Sequence, residues 1–157
     1  MQEHPTETLT QLDDLLMRVR VATQRPKYRR RLLDGFDIPG GISMLRLLRA
    51  VEALEANAAP SIGDVATRLV LEHSTVSRLV EVAVRSGFLT KHPCEQDLRR
   101  ARLRLTSRGR TLLRRSSRRR RELVAHITEG WPEDELDQLV RRLQLLCQGF
   151  DELEAPE

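Results

Sequence analysis

The chain has 157 residues, of which 39% are hydrophobic and 32% charged, with a formal net charge of +4; it is apolar enough to fold around one core and too charged to be a membrane-embedded chain. Two cysteines, Cys94 and Cys147, and four histidines without metal-like spacing exclude a disulfide framework and a zinc site. No stretch approaches the roughly 20 apolar residues of a spanning helix and no export signal is read, so no membrane partner, no metal, no cofactor and a cytoplasmic location are expected.

Aromatic residues make up 3% of the chain, so the interior must come from Leu, Val, Ile and Ala, a composition that favours helices. Leu9, Leu12, Leu15, Leu16, Val19 and Ala22 recur at helical spacing, with Thr8 and Gln11 as a capping-box start. The segment from Arg25 to Gly41 holds two prolines, three glycines and the basic cluster 27–31, and reads as a broken helix or an ordered connection. Met44, Leu45, Leu48, Val51 and Leu54 define a second long helix that ends before the loop 57–60.

Ser61 and Asp64 predict a capped short helix with Ile62, Val65, Ala66 and Leu69 as its stripe. A turn at 70–72 leads to a helix over about 73–85 that buries Val76, Leu79, Val80 and Ala83, with Gly87 placed to terminate it. Two short helices joined by a tight turn make a helix-turn-helix. A strand over 88–92, a polar tip over 93–99 and a strand in which Ala101, Leu103 and Leu105 alternate with arginines predict a hairpin, a wing.

Thr106 then caps a long helix with Leu112, Leu113, Leu123, Val124 and Ile127, whose middle turns, 116–121, lack an apolar stripe. Gly130 breaks it, and Pro132 followed by Glu133, Asp134 and Glu135 opens the last helix, with acids at the positive end of its dipole. Leu136, Leu139, Val140, Leu143, Leu146, Cys147 and Phe150 form its stripe. The first and last helices thus carry apolar faces outside the small winged core, and a second copy of the chain is the simplest cover. Leu9, Leu12, Leu16, Leu139, Leu143, Leu146 and Phe150 are the candidate dimerisation residues.

The fold class expected is mainly α with a small β-hairpin, a winged helix-turn-helix domain plus a helical dimerisation region formed by the N- and C-terminal helices. Residues 1–40 would hold the first dimerisation helix and connection, 41–109 the winged lobe, and 110–157 the linking helix and the last dimerisation helix. Charge is lopsided: twelve arginines and no carboxylate fall between Arg99 and Arg121, while acids gather at the carboxyl end. A helix of groove width beside a thin cationic loop is what a reader of double-stranded DNA needs. On the second short helix Ser74, Thr75, Ser77 and Arg78 face outward, small or cationic, and suited to base edges and phosphates. In the wing, Asp97 precedes Arg99 by two residues and can hold its guanidinium outward for a narrow minor groove, with Arg100 beside it.

Leu69, the run Ser74-Thr75-Val76-Ser77-Arg78-Leu79-Val80, Gly87-Phe88-Leu89, Asp97-Leu98-Arg99-Arg100-Ala101 and Leu103-Arg104-Leu105-Thr106-Ser107-Arg108-Gly109 together resemble the MarR family of transcriptional regulators. The resemblance implies a homodimer with two winged lobes on a pseudo-palindromic operator, Ser74, Thr75, Ser77 and Arg78 at recognition positions, and Asp97 and Arg99 as the wing pair. It also implies a repressor released by a small anionic or phenolic effector, or by cysteine oxidation. Gly40-Gly41, the scarcity of aromatics and the Arg-rich fifth helix depart from the family pattern.

Competing readings follow from the same residues. Cys94 beside the wing could be a thiol sensor, against the plainer reading of an incidental cysteine, and Cys147 on the last stripe is expected to pack. The arginines over 114–121 suit an anionic effector or DNA phosphates, or a solvated face paired with acids. No Gly-rich phosphate loop, nucleophile triad or buried acid pair speaks for an enzyme. A winged-helix adaptor without DNA affinity would want apolar residues where Ser74, Ser77 and Arg78 stand.

Overall fold

The computed structural model describes residues 6–94 and 97–153, and of Cys94 and residues 97–100 the backbone only. The chain divides into two compact units, Met1–Arg119 and Arg120–Glu157. Among the described residues the order is α1 Thr6–Gln24, α2 Pro26–Leu33, α3 Gly41–Glu55, α4 Ile62–Leu69, α5 His73–Arg85, β1 Leu89–Cys94, β2 Asp97–Leu105, α6 Ser107–Ile127 and α7 Glu133–Leu153. This is the mainly helical, winged architecture expected from the sequence.

Helix α1 is already wound at Thr6, ahead of the Thr8 start expected. The Thr10 hydroxyl donates to the Thr6 carbonyl at 2.9 Å, so the turn that Thr8 was expected to open is already wound. The expected break comes at Arg25, whose backbone is extended (φ −61°, ψ 142°) ahead of Pro26. Proline disfavours a helical residue before it and is itself well placed in a first turn, so the connection resolves into a second, short helix.

The core lies in the first unit and is mainly aliphatic, with Phe88 as a buried aromatic member: Met44, Leu47, Leu48 and Val51 come from α3, Val65 from α4, Val76, Val80 and Ala83 from α5, Leu89 and Leu103 from the hairpin, and Leu113 from α6. Burying each of the Leu, Val and Met side chains contributes about 1.5–3 kcal/mol before entropy is counted. Helix α6 turns Gly109, Leu112, Leu113 and Ser116 inward, one helical stripe that continues past the leucines with a serine. Ser116 is fully buried and its hydroxyl donates to the Leu113 carbonyl at 2.9 Å, which removes the cost of an unsatisfied polar group. At the far end of α3, Glu55 pairs with Arg110 at 2.9 Å.

In the second unit α7 opens with Glu133, Asp134 and Glu135 in its first turn. Neither α1 nor α7 contains a buried residue.

The hairpin is longer than expected. β1 and β2 pair antiparallel from Leu89↔Leu105 to Pro93↔Ala101, then shift register to Cys94↔Asp97. Residues 97–100 therefore lie in a strand and not in a loop at the tip. Pro93 is tolerated in the ladder because β1 belongs to a two-stranded sheet and one side of it needs no N–H donor.

Candidate nucleic-acid interface

The helix-turn-helix is set by local chemistry. Ser61 accepts the Asp64 amide at 3.2 Å through Oγ, and Asp64 Oδ2 accepts the Ser61 amide at 2.7 Å, a reciprocal cap that fixes where α4 begins. The helix ends at Val70, which adopts the left-handed conformation (φ 53°, ψ 51°), and the Leu71 amide returns to the Ala66 carbonyl at 3.1 Å. A β-branched residue is costly there. The turn is made although its sequence carries no glycine, and Val70 itself is 89% exposed.

Helix α5 anchors itself through Val76, Val80 and Ala83, all buried, with Leu79 half-buried. This leaves His73, Ser74, Thr75 and Arg78 exposed and Ser77 half-buried at its amino-terminal half. Three of the four expected recognition residues, Ser74, Thr75 and Arg78, therefore lie on the solvent side of one helix with Ser77 at its border, and Glu81 and Arg85 continue that side toward the carboxyl end. Gly87, at φ 71°, takes the left-handed position after α5 that a side chain would resist.

From that glycine the chain enters the wing at Phe88, whose amide donates to the Ala83 carbonyl at 2.9 Å. On the hairpin Leu103 and Leu105 face the core while Lys91 and Arg104 are exposed. The side chains of Asp97, Arg99, Arg100 and Cys94 lie outside the described residues; the backbone places residues 97–100 at the outer end of β2. A strand bridge between Ser61 and Arg102, with the Leu103 amide donating to Pro60 at 2.8 Å, joins the hairpin to the start of α4. Alternation of residue types carries no sign of this third partner, since a single bridging residue has no period.

The apolar stripes expected on the terminal helices are present, each within its own unit. On α1, Leu9 and Leu12 are exposed and Leu16 is half-buried; on α7, Leu139, Leu143 and Phe150 are exposed and Leu146 is half-buried. Cys147 lies on the α7 stripe as a free, exposed thiol.

A feature that the sequence did not announce is a cleft of about 350 Å³ between the α2–α3 connection, the start of β1 and the first half of α6. Phe36, Ile38, Phe88, Arg108, Thr111 and Arg115 are among its lining residues. The Arg108 guanidinium stacks 5.2 Å from the Phe88 ring and that of Arg115 4.9 Å from the Phe36 ring, so two of the chain's three phenylalanines meet two cations at one opening. Among the described residues no cluster could hold a metal ion and no helix is long and apolar enough to cross a membrane.

Comparison with known proteins agrees with this geometry. Residues 45–100 match the sequence model of the MarR family, a span that covers α4, the turn, α5 and β1. No curated protein sequence matches the chain. Among solved structures, a MarR family protein from Bacillus stearothermophilus is 20% identical, with 95% of this chain and 99% of that one covered and a TM-score of 0.79. The transcriptional regulator Tm0710 from Thermotoga maritima is 18% identical over 94% and 99%, with a TM-score of 0.64. A mutant of MepR from S. aureus bound to an oligodeoxyribonucleotide is 20% identical over 94% and 99%, with a TM-score of 0.55. At these identities the likeness is one of fold.

Proposed function

We propose that this winged helix-turn-helix chain is a MarR-family transcriptional regulator that binds double-stranded DNA in a sequence-specific manner as a homodimer. The observation that carries this reading is α5, anchored by Val76, Val80 and Ala83, with Ser74, Thr75 and Arg78 on its free side. Small hydroxyls and a guanidinium admit a groove floor, where an adaptor surface would carry apolar residues. Asp97, Arg99 and Arg100 contribute the wing contact to the backbone or the minor groove. A fold shared with a protein solved on an oligodeoxyribonucleotide supports the same assignment.

Dimerisation rests on the uncovered stripes of α1 and α7. Two copies present two recognition helices, and the operator is then pseudo-palindromic with half-sites about one helical turn apart, roughly 34–36 Å. Repression is the mode of regulation that the family resemblance favours. The cleft at Phe36 is the effector site: the half-buried Phe36 ring and the guanidiniums of Arg108 and Arg115 suit a small molecule that joins a ring to a carboxylate or phenolate. The protein works in the cytoplasm, with its DNA.

Selection of bound duplexes from a random pool tests this directly. An enriched inverted repeat is the expected result, and aromatic acids added in competition should release it. A purified chain that retains no duplex even at low ionic strength removes the proposal.

A further inference from the structure

Alternation along β2 puts Arg102 on the same outward row as Arg104, yet the two behave differently. Arg104 is exposed, whereas the Arg102 side chain turns back toward the helix-turn-helix. Its Nη1 donates to the Ala59 carbonyl at 2.9 Å and lies 3.9 Å from Asp64 Oδ2. That carboxylate oxygen also accepts the Ser61 amide at 2.7 Å and the Ser61 hydroxyl at 2.9 Å. On the main chain the same place is joined by the Ser61↔Arg102 bridge and by the Leu103 amide on Pro60. One side chain of the wing therefore grips both the loop before α4 and the cap that starts it.

The side chains of Arg102 and Asp64 are 35% and 50% exposed. An ion pair so open to water adds little to stability, so its consequence is geometric. We infer that Arg102 is a positioning residue for DNA binding, which fixes the root of the wing against the amino end of α4. This rests on the DNA-binding reading above.

The wing and α5 must reach the duplex at one relative offset. The main-chain bridge sets a hinge between them, and the guanidinium removes the hinge's freedom by holding a carbonyl and a carboxylate on the other side. An assembly held in its bound arrangement loses less entropy on association. A lysine at the same position keeps the charge and lacks the planar fork.

A direct phosphate contact by Arg102 is the rival, and salt separates the two. Each phosphate contact contributes nearly one unit to the slope of log affinity against log salt, while a positioning residue contributes none. Asp64→Asn separates them again. Removing a negative charge near a phosphate-binding arginine strengthens binding, but removing the anchor of a positioning arginine weakens it.

The experiment measures binding of a selected duplex across a salt series for wild type, Arg102→Ala, Arg102→Lys, Asp64→Asn and the double variant Arg102→Ala/Asp64→Asn. Hydrogen exchange at the Leu103 amide is read on the same proteins. Expected for Arg102→Ala is an affinity loss of about three- to tenfold at every salt concentration, the span of one net hydrogen bond, with unchanged slope and faster exchange at Leu103. Arg102→Lys should restore little, Asp64→Asn should also weaken binding, and the double variant should be no weaker than Arg102→Ala. Should the alanine variant fail to fold, the lysine and asparagine variants carry the same comparison. A slope lowered by about one unit, tighter binding by Asp64→Asn, additive losses, or unchanged affinity would each overturn the role. Failure of wild type to bind any duplex would instead remove the DNA-binding reading, and this role with it.

Discussion

A side-chain carbon built on Gly109 would stand 2.3 Å from the carbonyl oxygen of Phe88. No Cβ tolerates that distance, so the first turn of α6 lies directly on the root of the wing. Thr106 closes the same junction: its hydroxyl donates to the Gly87 carbonyl at 2.7 Å and accepts the Gly109 amide at 3.0 Å. Gly109→Ala should therefore destabilise the fold by about 1–3 kcal/mol, the usual cost of overpacking. At roughly 2–4 °C per kcal/mol for a chain of this size, calorimetry should find the melting temperature lowered by several degrees. An unchanged transition would mean that α6 does not press on Phe88.

Ser61 is nearly buried and caps α4 through a reciprocal pair of bonds with Asp64. Ser61→Ala removes the acceptor for the Asp64 amide and leaves that donor without its side-chain partner. A loss of about 1 kcal/mol is expected, read as a lower urea midpoint at constant slope. If the midpoint stays in place, water replaces the hydroxyl and the cap is not a determinant of the fold.

What the sequence revealed was mostly local. Ser61 with Asp64, Gly87 after α5 and Thr106 before α6 each satisfy orphan backbone groups within three or four residues, so type and spacing sufficed to place them. Val76, Val80 and Ala83 fixed which side of α5 is free, and with it Ser74, Thr75 and Arg78. Arg102 was unreadable because its partners, Ala59 and Asp64, lie about forty residues away. The cleft was hidden for the same reason: Phe36 and Phe88 become neighbours of Arg115 and Arg108 only after α6 has packed. The hairpin's length was hidden because the stretch 93–99 is polar and reads as a tip, and only pairing shows that Pro93 and residues 97–100 belong to the strands.

Ser77 and Arg78 occupy adjacent positions on α5, one half-buried and the other exposed. In the proposed complex they face the groove floor, so Ser77→Ala or Arg78→Ala should change which bases are preferred at one or two operator positions. A well-made hydrogen-bonded pairing with a base edge is worth about 1–3 kcal/mol of discrimination. Binding to a library of single-base operator variants measures it directly. If both variants rank the library as wild type does, the residues do not read bases.

Arg99 is assigned a different task at the outer end of β2, a charge contact made whatever the sequence. Arg99→Ala should weaken binding to all duplexes alike and lower the salt slope by about one unit for each phosphate it no longer neutralises. Titrations at three or more salt concentrations decide it. Parallel lines for the variant and wild type would remove Arg99 from the interface, and would leave Arg100, with Arg104 and Lys91 as exposed cations among the described residues, to be tested next.

Leu143 is 43% exposed on α7, in line with Leu139 at 39% and Phe150 at 55%. So much apolar surface on a helix without a buried residue is costly in water and is covered, in the proposed dimer, by a second copy. A twofold interface uses each residue twice, so one substitution places two carboxylates in the same apolar seam. Ionised groups there lose hydration without gaining a partner, a cost of several kcal/mol for each charge. Leu143→Asp should accordingly run as a single chain of 18.1 kDa by light scattering, with the melting transition of the Met1–Arg119 unit retained. Its affinity for an inverted repeat should fall to that for an isolated half-site. If the variant scatters at twice the chain mass, the copies meet through a surface other than the α7 stripe.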